Sequence, residues 1–257
     1  MRLFDTHCHL DFKVFENDFA EHIESANLSG VERFVVPSIG PSNWNRLEQL
    51  AAQYPSIYYA LGLHPYFLDT DSHTVQNRLA ELISQQPYKC IAVGECGLDA
   101  VVAVDSQIQE RVLMQQIELA KTYKLPLILH SRKTHNRLLQ LLKQSRFSYG
   151  GVLHGFSGSY QQAMQFVELG FYIGVGGVIT YPRAQKTRKA VIELPIDCLV
   201  LETDAPDMPL LGNQGKPNHP AMLTQTLSCL ADLRNDSKQT VAENVWKNSN
   251  QAFGICE

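Results

Sequence analysis

A chain of 257 residues with 44% apolar and 19% charged residues is long enough to bury a full core and has an ordinary globular composition, excluding disorder and fibrous repeats. Its net charge of -4 and pI of about 6.1 exclude a broadly basic nucleic-acid surface, so an anionic substrate must be held by local features. No run approaches about 20 apolar residues and Met1-Arg2-Leu3-Phe4-Asp5 meets charge at once, so neither a signal peptide nor a membrane span is expected and a cytoplasmic location is.

In chain order, short apolar β-branched runs alternate with longer amphipathic stretches, the pattern of parallel strands with crossover helices. The first strand candidate is Leu3 to His7, followed by Arg33 to Pro37, a helical stretch Ser42 to Gln53, and Ile57 to Gly62. Next come the strand Cys90 to Gly94 and the helix Ser106 to Tyr123, then Pro126 to His130 with the helix His135 to Gln144. Gly151 to His154 precedes the helix Tyr160 to Leu169, and Phe171 to Val175 precedes the helix Ala184 to Glu193. Leu199 to Thr203 is the eighth strand, with Ala221 to Leu233 and Ser237 to Phe253 as extra C-terminal helices. Eight such units predict an α/β fold, a (β/α)8 TIM-type barrel, with residues 1–257 forming a single domain. The six cysteines contain no Cys-x-x-Cys pair and read as reduced thiols.

The ends of these strands carry polar residues: His7 and His9, His64, Glu95, His130, His154 and Asp204. In a barrel, the C-terminal strand ends converge on one rim where active sites sit. Strand residues two apart share a face, so both imidazoles of His7-Cys8-His9 can aim into the mouth. Asp5 lies one layer deeper on that face, placed to accept the free imidazole N–H and fix the tautomer. Taken singly, each residue also fits a blander role: a chance His-x-His pair, a surface acid, a satisfied core histidine. Four of these histidines, His7, His9, His130 and His154, with two acids on one rim exceed one ion's needs and point to two.

Six segments carry a family resemblance: Phe4-Asp5-Thr6-His7-Cys8-His9, Gly62-Leu63-His64-Pro65, Val93-Gly94-Glu95-Cys96-Gly97-Leu98-Asp99, His130-Ser131-Arg132, His154-Gly155-Phe156-Ser157-Gly158 and Leu201-Glu202-Thr203-Asp204-Ala205-Pro206. Together and in this order they resemble the motif set of the TatD-type metal-dependent hydrolases, among the amidohydrolase-like barrels. The stretch Gly174-Val175-Gly176-Gly177-Val178-Ile179-Thr180-Tyr181-Pro182-Arg183-Ala184 is most similar to the YjjV-like branch of that family. The resemblance implies a two-ion centre in which His7, His9 and Asp204 hold one divalent metal, His130 and His154 the other, and Glu95 bridges. It also implies phosphodiesterase activity of the deoxyribonuclease type. The chain departs from the pattern at Ala100-Val101-Val102, where many relatives have an aromatic residue, and at Asn218-His219-Pro220, where Asn-Glu-Pro is common.

Within that frame Asp204 and Glu95 are the catalytic candidates, Asp204 accepting the proton of a metal-activated water. His64, Arg132 and Arg183 are the candidates for substrate binding, and Asp5 and Glu202 for support. Lys186, Arg188 and Lys189 read better as a solvated helix face. The mixed nitrogen and oxygen ligands do not choose among Zn, Mg and Mn. The expected partner is a phosphodiester or other small hydrolysable substrate, DNA ends among them, with no membrane and no obligate protein partner. An amide, lactone or ester hydrolase with the same centre and a non-catalytic metal-binding barrel stay open as alternatives.

Overall fold

Parallel strands buried on both faces need apolar residues at every position, and the short continuous runs of this sequence supply them. The computed structural model describes residues 1–68 and 72–256. Its eight strands, all parallel, are β1 (Leu3–Asp5), β2 (Val31–Pro37), β3 (Ile57–Leu61), β4 (Cys90–Asp99), β5 (Leu127–Arg132), β6 (Gly151–Leu153), β7 (Phe171–Val175) and β8 (Leu199–Leu201). They lie side by side in chain order. Beyond the paired ends of β1 and β8, Thr6 N donates to Leu201 O at 3.0 Å and Asp204 N to His7 O at 2.9 Å. These bonds bring the sheet round into a nearly closed barrel, as the alternation predicts.

Helices cross between successive strands: α1 (Phe19–Leu28), α2 (Trp44–Gln53), α3 (Ser72–Ser84), α4 (Ser106–Tyr123), α5 (His135–Ser145), α6 (Tyr160–Val167) and α7 (Gln185–Glu193). The last two, α8 (Leu223–Arg234) and α9 (Lys238–Ala252), follow β8. Local chemistry sets several starts. The Asp105 side chain accepts Gln107 N at 2.7 Å to cap α4, and Ser159 and Gln162 form a reciprocal capping box on α6.

The core has two layers. Inward-facing Phe4, Val35, Ala60, Ala92, Ile128, Val152 and Val200 fill the barrel, while the opposite strand faces pack on the helices through residues such as Leu47, Val112, Leu138 and Phe166. At the N-terminal end, Phe4 meets Trp246 and Phe253 of the α9 region at ring-centroid distances of 6.2 and 6.1 Å. All six cysteines are unpaired. Among the described residues, no helix is long and apolar enough to cross a membrane.

Two features differ from the sequence expectation. The helices α1 and α3 were not marked by the apolar periodicity, and β4 runs five residues past Gly94, through Glu95, to Asp99. A register shift between Val93 and Cys96 lets the strand continue, pairing Gly97 with His130 and Asp99 with Arg132. Gly97 is needed there: its φ of +151° is one L side chains rarely adopt, and a Cβ would collide with the His130 backbone.

Candidate active site

The C-terminal ends of the strands meet in a cavity of about 250 Å3 whose lining includes His9, His64, Glu95, Asp99, His130, Arg132, His154 and Asp204. Glu95, 2% exposed, is its centre. One carboxylate oxygen, Oε1, lies 2.7 Å from His154 Nε2, 2.9 Å from His130 Nδ1 and 3.3 Å from His64 Nε2. The other, Oε2, lies 3.2 Å from His7 Nε2 and 3.8 Å from His9 Nε2. Asp204 Oδ1 approaches the same two imidazoles, at 3.5 and 3.7 Å. All six expected ligands are thus brought together, and Glu95 faces two groups of nitrogens with separate oxygens.

The surrounding frame explains why these side chains stay in place. Glu95 N donates to Ser38 O at 3.0 Å, and Ser38 Oγ is tied to Gly62 N at 2.6 Å, linking the ends of β2, β3 and β4 beneath the carboxylate. Two buried glutamines seven residues apart on α4 clasp neighbouring strand ends. Gln116 accepts from Leu63 N at 2.8 Å and donates to Leu63 O at 3.1 Å, next to His64. Gln109 accepts from Asp99 N at 2.8 Å and donates to Asp99 O at 3.0 Å. Buried amides with every group paired fix a backbone more sharply than apolar packing does.

Asp99 was missed from sequence. Its Oδ2 lies 3.1 Å from His130 Nε2, placed to accept that N–H while Nδ1 faces Glu95 at 2.9 Å; burial lowers the ring's pKa, but the two acids together raise it above its ordinary value. The signal was available: a polar Gln109 on the buried face of α4, facing the strand that carries Asp99.

Asp5 corrects an expectation. Its carboxylate takes no imidazole N–H; it accepts Thr203 Oγ1 at 2.6 Å, Thr203 N at 3.0 Å and the backbone N of His7 at 3.3 Å. The acid is turned toward the end of β8, where it holds the two strand ends together. Glu202, fully buried, accepts Gly155 N at 2.5 Å and stands 3.9 Å from His154 Nδ1. His64 enters the centre itself. Its Nδ1 accepts Tyr66 N at 3.1 Å, which puts the proton of the neutral ring on Nε2 and makes it a donor toward Glu95. Arg132 lines the cavity, whereas Arg183 does not; its guanidinium lies 5.0 Å from the Tyr181 ring centroid. Lys189 pairs with Glu193 at 3.7 Å along α7, as a solvated helix face would.

The donor set suits cations. His7 Nδ1 and Nε2, His9 Nδ1, His154 Nδ1 and Glu202 Oε2 are buried without a hydrogen-bond partner, each such atom ordinarily costing about 1–3 kcal/mol. Among the described residues, three groups have possible ligand atoms within 4.8 Å of one another: His7, His9 and Glu95; His7, His154 and Glu202; His64, Glu95 and His130. Burial pushes His7 well below its ordinary pKa and His9 down to about 4, and lowers His154 as well, so these rings keep free lone pairs at neutral pH. For Glu95 burial works the other way, but His154, His64 and His7 together hold the carboxyl well below the usual range. Burial, then the charges of Glu95 and Glu202, raises Asp204 well above its ordinary value, and burial raises Glu202 to about 8. Acids crowded this closely lack a compensating positive charge, which a bound metal ion would provide.

A parallel barrel with imidazoles and carboxylates gathered at its C-terminal mouth is the architecture of a metal-dependent hydrolase. Residues 4–254 match the family model described as TatD related DNase, and the chain belongs to that family. It is 44% identical to the uncharacterized metal-dependent hydrolase YjjV of Escherichia coli K12, over 99% of this chain and 98% of that protein. It is 38% identical to an uncharacterized metal-dependent hydrolase of Haemophilus influenzae, over 98% and 100%. The crystal structure of YjjV superposes with a TM-score of 0.96, covering 99% of each chain. The fold is shared by an uncharacterized amidohydrolase from Saccharomyces cerevisiae at 18% identity, with a TM-score of 0.83 and coverage of 98% of this chain and 100% of that one.

Proposed function

We propose that this metal-dependent hydrolase is a phosphodiesterase that cuts DNA or oligonucleotides at their ends, with His7, His9, Glu95, His130, His154 and Asp204 holding two divalent ions. The observation that carries the reading is the divided approach to Glu95, whose Oε1 faces His130 and His154 while Oε2 faces His7 and His9. Divalent ions bound there would supply Lewis acidity and water activated near neutral pH. The chain's own residues do the rest. Asp204, its Oδ1 3.5 and 3.7 Å from the nitrogens of His7 and His9, would be ionised by the positive charge of those ions and so accept the proton of the attacking water. Arg132 offers charge-assisted hydrogen bonds to a phosphate oxygen, and His64 presents an N–H at Nε2 to the same region. Asp99 keeps His130 in the tautomer whose Nδ1 faces the centre. The family's description as a DNase supports the choice of phosphodiester.

The test is metal-reconstituted enzyme assayed on single-stranded DNA, phosphomonoesters and amides, with Asp204→Asn as control. Turnover of DNA, lost by about 100-fold or more in a normally folded Asp204→Asn, is expected. Unchanged turnover removes Asp204 from the mechanism, and turnover of amides alone transfers the centre to an amidohydrolase reaction.

A further inference from the structure

The wall of the cavity has two chemically different sides. Following β1, β2 and β3 it is built from Phe12, Ile39, Tyr66 and Phe67; at the end of β5 it carries Arg132, the only Lys or Arg among its described lining residues. Tyr66 and Phe67 are 62% and 50% exposed, and neither packs into the hydrophobic core. Large aromatic faces left in water beside a reaction centre are binding surface rather than packing. The two rings meet edge to face at a centroid distance of 4.9 Å and 68°, so one can stack on a flat guest while the other touches its edge. Phe12 lies nearly parallel to His9 at 4.8 Å, which ties this aromatic wall to the centre itself.

We propose that Tyr66 and Phe67, with Phe12, form a stacking platform for the base of an unpaired terminal nucleotide, directing its phosphodiester over Glu95 and within reach of Arg132. The inference rests on the phosphodiesterase reading and adds how the substrate is chosen. Charge complementarity sets the orientation: the ring goes to the uncharged wall and the phosphate to the side with the cation. A cavity of about 250 Å3 falls below the roughly 300–1,000 Å3 of sites for drug-sized ligands and admits one nucleotide rather than a base pair. Of the four residues on this wall only Tyr66 has a polar group in its side chain, so the platform distinguishes a base from no base but hardly one base from another.

The test is a fluorescence titration of metal-reconstituted enzyme with phosphorothioate-linked thymidine decamers carrying 2-aminopurine at the 5′ or the 3′ end. Stacking quenches this base. Wild type is expected to quench at least one probe, and Tyr66→Ala/Phe67→Ala to weaken binding about 10-fold or more. Phe67→Leu, which keeps apolar bulk against His64 but has no π face, should lie between them; both substituted positions are exposed, and unchanged melting temperatures check the fold. Absence of quenching of both probes in wild type, or equal binding by the double variant, overturns the platform. Hydrolysis separates the two claims. Wild type that quenches the probes but leaves a phosphodiester-linked decamer uncut supports the platform and overturns the phosphodiesterase reading. Wild type that cuts a decamer with abasic ends at the same KM as one with intact ends overturns the platform alone.

Discussion

Glu202 is buried inside the barrel because Gly174, on the neighbouring strand β7, leaves room for it. A Cβ built on Gly174 would lie 2.8 Å from Glu202 Cδ, inside the 3.0 Å that real Cβ atoms respect, and closer still to the carboxylate oxygen. Gly174 is not among the positive-φ glycines, so Gly174→Ala meets a steric problem alone. The carboxylate must withdraw, giving up the 2.5 Å bond from Gly155 N. Overpacking a core costs about 1–3 kcal/mol and a stranded half-buried donor up to about 3 more, so Gly174→Ala should destabilise by about 1–6 kcal/mol. Thermal and chemical denaturation of wild type, Gly174→Ala, Glu202→Ala and the double variant closes a cycle. In the Glu202→Ala background the alanine has nothing to displace, and its cost should fall by about 2 kcal/mol or more. Additive costs would refute the claim that the glycine exists to seat this carboxylate.

Two further outcomes are expected. Asp99→Ala frees the His130 ring, and metal titration followed by activity should show affinity or turnover lower by about 10–100-fold, the size of effect seen when a ligand's hydrogen-bond partner is removed. The metal-free protein should lose stability as pH rises from about 6.5 to 8, because burial raises Asp5 to about 7 and Glu202 to about 8, and raises Asp204 well above its ordinary value. Folded carboxyls with raised pKa retain protons that the unfolded chain releases near pH 4; their stabilising contribution is complete below that pH and disappears through the folded values. His7, His9 and His154, lowered in the fold, act below their unfolded value near 6.5; His130, which burial lowers but Glu95 and Asp99 together raise above that value, loses its contribution in the same window as the acids. Denaturation at pH 6.5 and 8 with chelator should show the loss, and metal-loaded protein should show little of it.

Much of this architecture is legible in the sequence because both levels obey one simple rule. A strand buried on both faces is an uninterrupted apolar run, so the polar residue that ends it marks the rim; His130 after Leu129 and His154 after Leu153 are examples. The rule fails where the backbone breaks its own periodicity. β4 shifts register near Glu95 and continues to Asp99, so an acid that reads as a loop residue is a strand residue beside His130. Asp5 escapes because its partners, Thr203 N and Oγ1, come from the far end of the chain, which alternation along β1 cannot name. Arg183 depends on the path of a loop after β7, which no periodicity encodes; there it lies against Tyr181. The helix α1 is rich in small and polar residues, Ala20, Ser25, Ala26 and Asn27, and so carries only a weak apolar stripe.

The aromatic plug made by Phe4, Trp246 and Phe253 closes the barrel on the side opposite the ligands. The reaction chamber is therefore blind-ended: a polymer cannot thread through it, and whatever is cut must back out along the route by which it came. Arrival of the next substrate molecule then waits on departure of the last product, and the two compete for the same threshold.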